Sequence, residues 1–229
     1  MAGHSKWATI KRQKGANDAK RGAIFTKIGN QIAIAARSGT DPEMNPSLAM
    51  VIEKARAANM PNANIQRAID RVKDKHAAQL EEIVYEGYGP GGVGLIIETA
   101  TDNRNRTLPE VKTTLTKNGG RIADAGSVAF QFERKGVIRV NGSGEETLME
   151  ILEAGADDAI EVEGEFIVYT EAKQLNSIRT KIKHVIEAGL EYVSKSTVEL
   201  DEESEAKLTK LLNALDELDD VVSVSHNAA

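Results

Sequence analysis

The chain of 229 residues contains no cysteine, which excludes disulfides, thiol catalysis and thiolate metal sites and is compatible with a reducing cytoplasm, the expected compartment. Aromatic residues are scarce at 4%, and Trp7 is the single tryptophan. No apolar run approaches the roughly 18 to 20 residues of a membrane span, so no membrane anchoring is implied. The N-terminus is basic but lacks the apolar region and small-residue cleavage site of a secretory signal, and Trp7, Asp18 and its glycines do not fit an Arg/Ser-rich transit leader. What is left, 41% hydrophobic and 28% charged, is the composition of a soluble globular protein long enough for two or three domains.

Positive charge is concentrated at one end. The first 37 residues hold eight cations (Lys6, Lys11, Arg12, Lys14, Lys20, Arg21, Lys27, Arg37) against one acid, Asp18, in a chain of net charge -6. Residues 1–80 carry 14 basic and 6 acidic side chains, 81–140 carry 8 of each, and 141–229 carry 7 basic and 21 acidic. A polyanion is therefore expected to bind the N-terminal end, with the acidic end kept off it and so orienting the molecule. Lys20 and Lys27, seven residues apart on one side of a helix, continue the charge of Lys6 to Lys14. Trp7 lies among these cations, where it would either stack on a base or cover a core.

Residues 1–80 read as three amphipathic helices. From a cap at Asn17 or Asp18, Ile24, Phe25, Ile28 and Ile32 recur at helical spacing until Ser38-Gly39. Asn45-Pro46 supplies a cap and a first-turn proline ahead of Leu48, Val51, Ile52 and Ala55, and that helix ends near Asn59. After Met60-Pro61, Asn62 or Asn64 caps a third helix with Ile65, Ala68, Ile69 and Val72 inward.

From Glu81 onward short β runs alternate with helices. Val137–Val140, a helix over Glu145–Glu153, strands at Ala159–Val162 and Phe166–Tyr169, a helix over Glu171–Ala188 and a strand from Leu190 to Val198 spell βαββαβ, the ferredoxin-like order. Around them, Val93–Ala100, a helix over Leu108–Lys117, Val128–Phe132, a helix over Ala206–Leu218 and Val221–Val224 read as a second such unit, interrupted in its middle. The expected fold is α+β: an N-terminal three-helix bundle followed by two ferredoxin-like α/β domains, one inserted into the other. The expected boundaries are a basic helical domain at 1–80, a discontinuous domain at 81–133 plus 197–229, and an acidic insert at 134–196.

On the third helix Arg67, Arg71 and Lys75 form one basic ridge that a phosphate backbone could follow, or a solvated face with Arg67 to Asp70 and Lys73 pairs. Asn62, Asn64, Gln66 and Arg67 crowd the start of that helix and are side chains able to read base edges, as in a helix-turn-helix; capping is the alternative. Gly87-Tyr88-Gly89-Pro90-Gly91-Gly92 matches G-x-G-x-x-G but leads into a strand rather than a helix, so it reads as a turn and no cofactor is expected. The four histidines show no metal-ligand spacing, and no nucleophile elbow or phosphate loop is present, so catalysis is not expected. Asp157-Asp158 and Asp219-Asp220 read as caps or element edges rather than a cation site, and Glu161, Glu163 and Glu165 as the outward face of a hairpin.

Taken together, the start Gly3-His4-Ser5-Lys6-Trp7, Lys20-Arg21-Gly22 with Phe25-Thr26-Lys27, Asp41-Pro42, Asn59-Met60-Pro61 and Asn64-Ile65 resemble the first domain of the YebC/PmpR family. Tyr85 to Gly92, Thr101-Asp102-Asn103-Arg104-Asn105-Arg106-Thr107, Gly119-Gly120 and Gly126-Ser127-Val128 resemble its second. The sequence departs from the family pattern at Ala23, at Ser38-Gly39-Thr40 and at Arg71-Val72-Lys73. The family includes the mitochondrial translational activators of cytochrome c oxidase. The resemblance implies three domains and a cytoplasmic, non-enzymatic, nucleic-acid-binding regulator. Two roles are attached to the family, a ribosome-associated factor that helps translate difficult stretches such as consecutive prolines, and a transcriptional regulator of promoters. The expected partner is ribosomal or transfer RNA, or promoter DNA. The expected contacts are Lys6, Trp7, Lys11, Arg12, Lys14, Lys20, Arg21, Lys27, Arg67 and Arg71, with Asn103, Arg104 and Arg106 approaching RNA beside the glycine-rich loop.

Overall fold

The computed structural model describes residues 18–73 and 80–229, with the side chains of 18–21 excepted. The described residues fall into two compact units, one running to Glu133 and resuming over Val193–Ala229, the other Arg134–Tyr192. The architecture is mixed α+β, with seven α-helices and two four-stranded antiparallel sheets among the described residues.

The first unit opens with α1 (Asp18–Ala35), α2 (Pro46–Ala57) and α3 (Asn62–Asp70). Ile28, Ile32, Ala36, Leu48, Ile52, Ala55, Ile65 and Ile69 share one core, as helical spacing predicts. Asn45 caps α2, its side chain accepting from Leu48 N at 3.1 Å, and its amide donates to the carbonyls of Ala35 and Gly39, both at 2.8 Å. One asparagine thus starts α2 and satisfies the last carbonyl of α1 and that of Gly39 in the connection. Two expected core positions face out. Ile24 is 46% exposed because the buried stripe runs through Ile28, Ile32 and Ala36, and Val72 is exposed because α3 gives way to a 3-10 turn at Arg71–Lys73. Asn62 and Asn64 do not cap α3, which follows Pro61 with no side-chain cap.

The sheet of this unit runs β3-β1-β2-β8, with β1 Glu81–Tyr88, β2 Gly94–Thr101, β3 Arg121–Ala123 and β8 Val221–His226. Between them come α4 (Arg104–Lys117) and α7 (Glu202–Asp216), which pack Val111, Leu115, Leu208, Leu211 and Leu215 against Leu95, Ile97 and Val221. Helix α1 lies against β2 and β8, and β2 is accordingly buried along nearly its whole length. One strand expected from the sequence is absent. Val128–Phe132 does not join this sheet: Ala129–Gln131 form a 3-10 turn, Phe132 begins β4 (Phe132–Asn141), and the missing position is filled by β1 from the N-terminal side.

The second unit is built from β4, α5 (Gly144–Glu153), β5 (Asp158–Val162), β6 (Glu165–Glu171), α6 (Leu175–Arg179) and β7 (Val185–Ser194), in the sheet order β5-β6-β4-β7. The βαββαβ succession is present, but the helix expected over Glu171–Ala188 is only the five residues of α6, and β7 starts at Val185. Glu163 (φ 51°) and Gly164 (φ 83°) turn the β5–β6 hairpin. Glu161 and Glu165 on its two arms do not share a face: Glu161 accepts from Gly144 N at the start of α5, and Glu165 pairs with Arg139 of β4.

Candidate nucleic-acid interface

Lys6, Trp7, Lys11, Arg12 and Lys14 lie outside the described residues, and Lys20 and Arg21 belong to α1 without described side chains. Of the predicted contacts in the helical segment, Lys27, Arg67 and Arg71 can be located. Lys27 is committed elsewhere. It is 9% exposed, and its ammonium donates to the carboxylate of Asp216 at 2.8 Å and to the carbonyl of the same residue. Asp216 is the last residue of α7, so the lysine neutralises the negative end of that helix as well as the side chain.

Arg67 is exposed, with no partner among the described residues. Arg71 turns instead toward the rest of the unit, donating to Asn30 Oδ1 at 3.4 Å and approaching Asp102 at 3.8 Å. Of the ridge expected through Arg67, Arg71 and Lys75, Arg67 is the one free among the described residues, and Lys75 lies outside them. Gln66 donates to Asp70 at 3.1 Å, and Lys73 pairs with the same carboxylate at 2.8 Å. These contacts hold the Asp70 carboxyl below its ordinary range. Charge patterning did not single out Arg56, which is exposed on α2 and likewise has no partner among the described residues.

The segment Thr101–Thr107 is organised around Asp220. Thr101 Oγ1 and Thr107 Oγ1 lie 3.0 and 2.6 Å from its Oδ2, and Arg106 donates to both carboxylate oxygens at 3.0 Å and to Asp102 at 3.2 Å. The bonds and charge of Asp220, reinforced by Asp102, raise the Arg106 pKa above its ordinary value. Asn103 caps α4, accepting from the backbone of Asn105 and Arg106 at 3.1 and 3.3 Å. Arg104 pairs with Glu81 at 2.6 Å. Asn103 and Arg106 are thus engaged inside the unit, and neither is presented whole to a ligand. Asp220 meets an arginine rather than a cation in solution, and among the described residues no group of side chains is arranged to hold a metal.

The glycine-rich segment joins strand to strand. Gly91 has φ 72°, and a Cβ there would overlap Leu200 Cδ2, so the turn approaches the core instead of cradling a ligand at that point. The residue beneath it that sequence patterning missed is Glu86. Buried on β1, it accepts from the backbone amides of Gly126 (2.5 Å), Val128 (2.6 Å) and Ala129 (2.8 Å). Burial raises its pKa, but the three amides outweigh burial and leave the carboxyl below its ordinary value. Tyr88 donates to Ser127 O at 3.1 Å, and Arg121 lies over the Tyr88 ring at 4.6 Å.

Residues 5–75 match the TACO1/YebC protein N-terminal domain, and residues 80–228 match the TACO1/YebC second and third domain. The chain belongs to the TACO1/YebC family. A probable transcriptional regulatory protein of Rubrobacter xylanophilus is 48% identical over 99% of this chain and 95% of its own length, and another of Persephonella marina is 48% identical with the same coverage. The crystal structure of a conserved hypothetical protein from Aquifex aeolicus aligns with a TM-score of 0.91 at 42% identity, covering 98% of this chain and 97% of that one. In this TACO1/YebC chain several segments that carried the resemblance have structural work. Asn59-Met60-Pro61 makes the turn into α3 with Asn59 at φ 59°, Thr101–Thr107 closes on Asp220, and Gly126-Ser127-Val128 closes on Glu86. No helix among the described residues is long and apolar enough to cross a membrane.

Proposed function

We propose that this chain is a nucleic-acid-binding regulator of gene expression, acting as a ribosome-associated translation factor that binds RNA and assists synthesis of difficult stretches such as consecutive prolines. It acts by binding and not by catalysis, in the cytoplasm, and needs no cofactor. The observation that carries the reading is the imbalance of charge. Residues 1–80 hold 14 cations against 6 acids, whereas the two arginines in the first turn of α4 are matched internally, Arg104 by Glu81 and Arg106 by Asp102 and Asp220. Net positive charge belongs to the helical end, and such charge is what a phosphate backbone selects. Lys6, Trp7, Lys11, Arg12, Lys14, Lys20, Arg21 and Arg67 are the contacts.

In this reading the basic domain at 1–80 engages ribosomal or transfer RNA. The discontinuous domain at 81–133 plus 197–229 carries it, and the acidic insert at 134–196 is repelled by the same polyanion, which fixes the direction of binding. Co-sedimentation with ribosomes at physiological salt is the test. A protein that stays at the top of the gradient while binding one promoter tightly would refute it.

A second reading, a promoter-binding transcriptional regulator, is favoured by the names of the relatives. It requires sequence-specific duplex binding through Asn62, Asn64, Gln66 and Arg67. Replacing the four with Ala should then abolish promoter discrimination, and unchanged affinity would rule the reading out.

A further inference from the structure

Phe130 stands apart from every other aromatic side chain among the described residues. It is 66% exposed, while Phe132, Phe166 and Tyr169 are buried and Phe25, Tyr85, Tyr88 and Tyr192 are partly covered. A single exposed apolar side chain is ordinarily unremarkable. The backbone beneath this one is what distinguishes it.

The 3-10 turn Ala129–Gln131 is held from both sides. Glu86 takes the amides of Val128 and Ala129, and Gln131 N donates to Val128 O at 3.0 Å. Lys195 N donates to Gln131 O at 2.8 Å and its ammonium to Phe130 O at 3.1 Å, while Asn227 binds the Gln131 side chain at 2.8 Å. Val128 and Phe132, at 0% and 4% exposure, anchor the flanks in the core. The ring therefore projects from an immobilised main chain, and a ligand meeting it restricts little beyond its own two torsions.

We propose that Phe130 is a stacking platform for a base of single-stranded nucleic acid. The inference rests on the nucleic-acid reading above and adds to it a contact outside the basic helical end. Base stacking is the recognition this site fits because the charges placed at the turn are already engaged: the Lys195 ammonium is bound to the Phe130 carbonyl, and the Glu86 carboxylate is consumed by amides. A phosphate gains little there, whereas every base offers a π face to a fixed ring.

The test uses the full chain with fluorescently labelled single-stranded 12-nucleotide RNA and the matching DNA, measuring anisotropy over a salt series for the native protein, Phe130→Ala and Phe130→Trp. Phe130→Ala should bind at least about five-fold more weakly, with an unchanged salt slope and melting temperature, and Phe130→Trp should restore affinity. Equal affinity in Phe130→Ala, a loss that Trp does not recover, or a changed salt slope overturns the platform while native binding leaves the broader reading standing. A native protein that binds neither probe at physiological salt overturns the platform, and ribosome co-sedimentation decides the broader reading separately. A Phe130→Ala defect confined to capture of a protein partner, with oligonucleotide binding intact, counts as equal affinity and rejects the platform.

Discussion

Lys27 of α1 closes the C-terminal end of α7 by donating to both the carboxylate and the main-chain carbonyl of Asp216. A residue that reads in sequence as one more cation for a polyanion is, in the fold, the link between the helical bundle and the α/β part of its unit. Lys27→Met, which keeps the aliphatic stem, should lower stability by about 1–2 kcal/mol in urea unfolding. It should leave oligonucleotide affinity within two-fold, roughly 0.4 kcal/mol. A drop in affinity with unchanged stability would return Lys27 to the interface.

Glu86 ties acid sensitivity to one loop. Its carboxyl lies below its ordinary value, so its contribution is full above about pH 4.3, the unfolded value, and is lost as pH falls through the lower folded value. Glu86→Gln should cost about 2 kcal/mol at pH 7. The gap between variant and native protein should narrow as pH is lowered below about 4. Thermal melts from pH 7 to pH 3 measure both, and a gap independent of pH would show that the amides do not discriminate the charge.

Gly91 and Gly92 make a matched pair. Both have positive φ, 72° and 79°, but a Cβ at Gly91 meets Leu200 whereas one at Gly92 meets nothing within 4 Å. Gly92→Ala should cost about 1 kcal/mol from backbone strain alone. Gly91→Ala should cost more, since Leu200 must move as well. Equal melting temperatures for the two variants would contradict the contact.

Lys11 and Lys14 test the electrostatic reading directly. Replacing both with Ala should weaken RNA binding and flatten the log–log salt slope by about 0.7 to 0.9 for each phosphate that is no longer neutralised. An unchanged slope would remove them from the interface.

Legibility from sequence followed the range of the interactions. The Asn45-Pro46 start of α2, the stop at Ser38-Gly39 and the βαββαβ succession of the second unit are local signals, and all are present. Strand β1 was hidden because its sequence, EEIVYEGY, mixes acids and glycine into a partly exposed strand whose Glu86 faces amides some 40 residues away. Val128, Phe130 and Phe132 alternate as an inward strand face would, yet the 3-10 turn between them throws Phe130 outward. Arg106 looked available because its partner Asp220 is 114 residues distant, and no spacing rule reaches that far.

The pairing of β2 with β8 also dictates an order of events during synthesis. Ile97 meets Val224, and the Asn227 side chain accepts from Gly94 N at 2.8 Å, so the first sheet waits for residues 221–227 to leave the ribosome. Arg134–Tyr192 is complete well before then. Its first and last strands are neighbours, so once folded it shortens the effective loop between the two halves of its host and reduces the entropy of closing them. A nascent chain stalled before Val221 should therefore protect the insert from protease while the host sheet is still open.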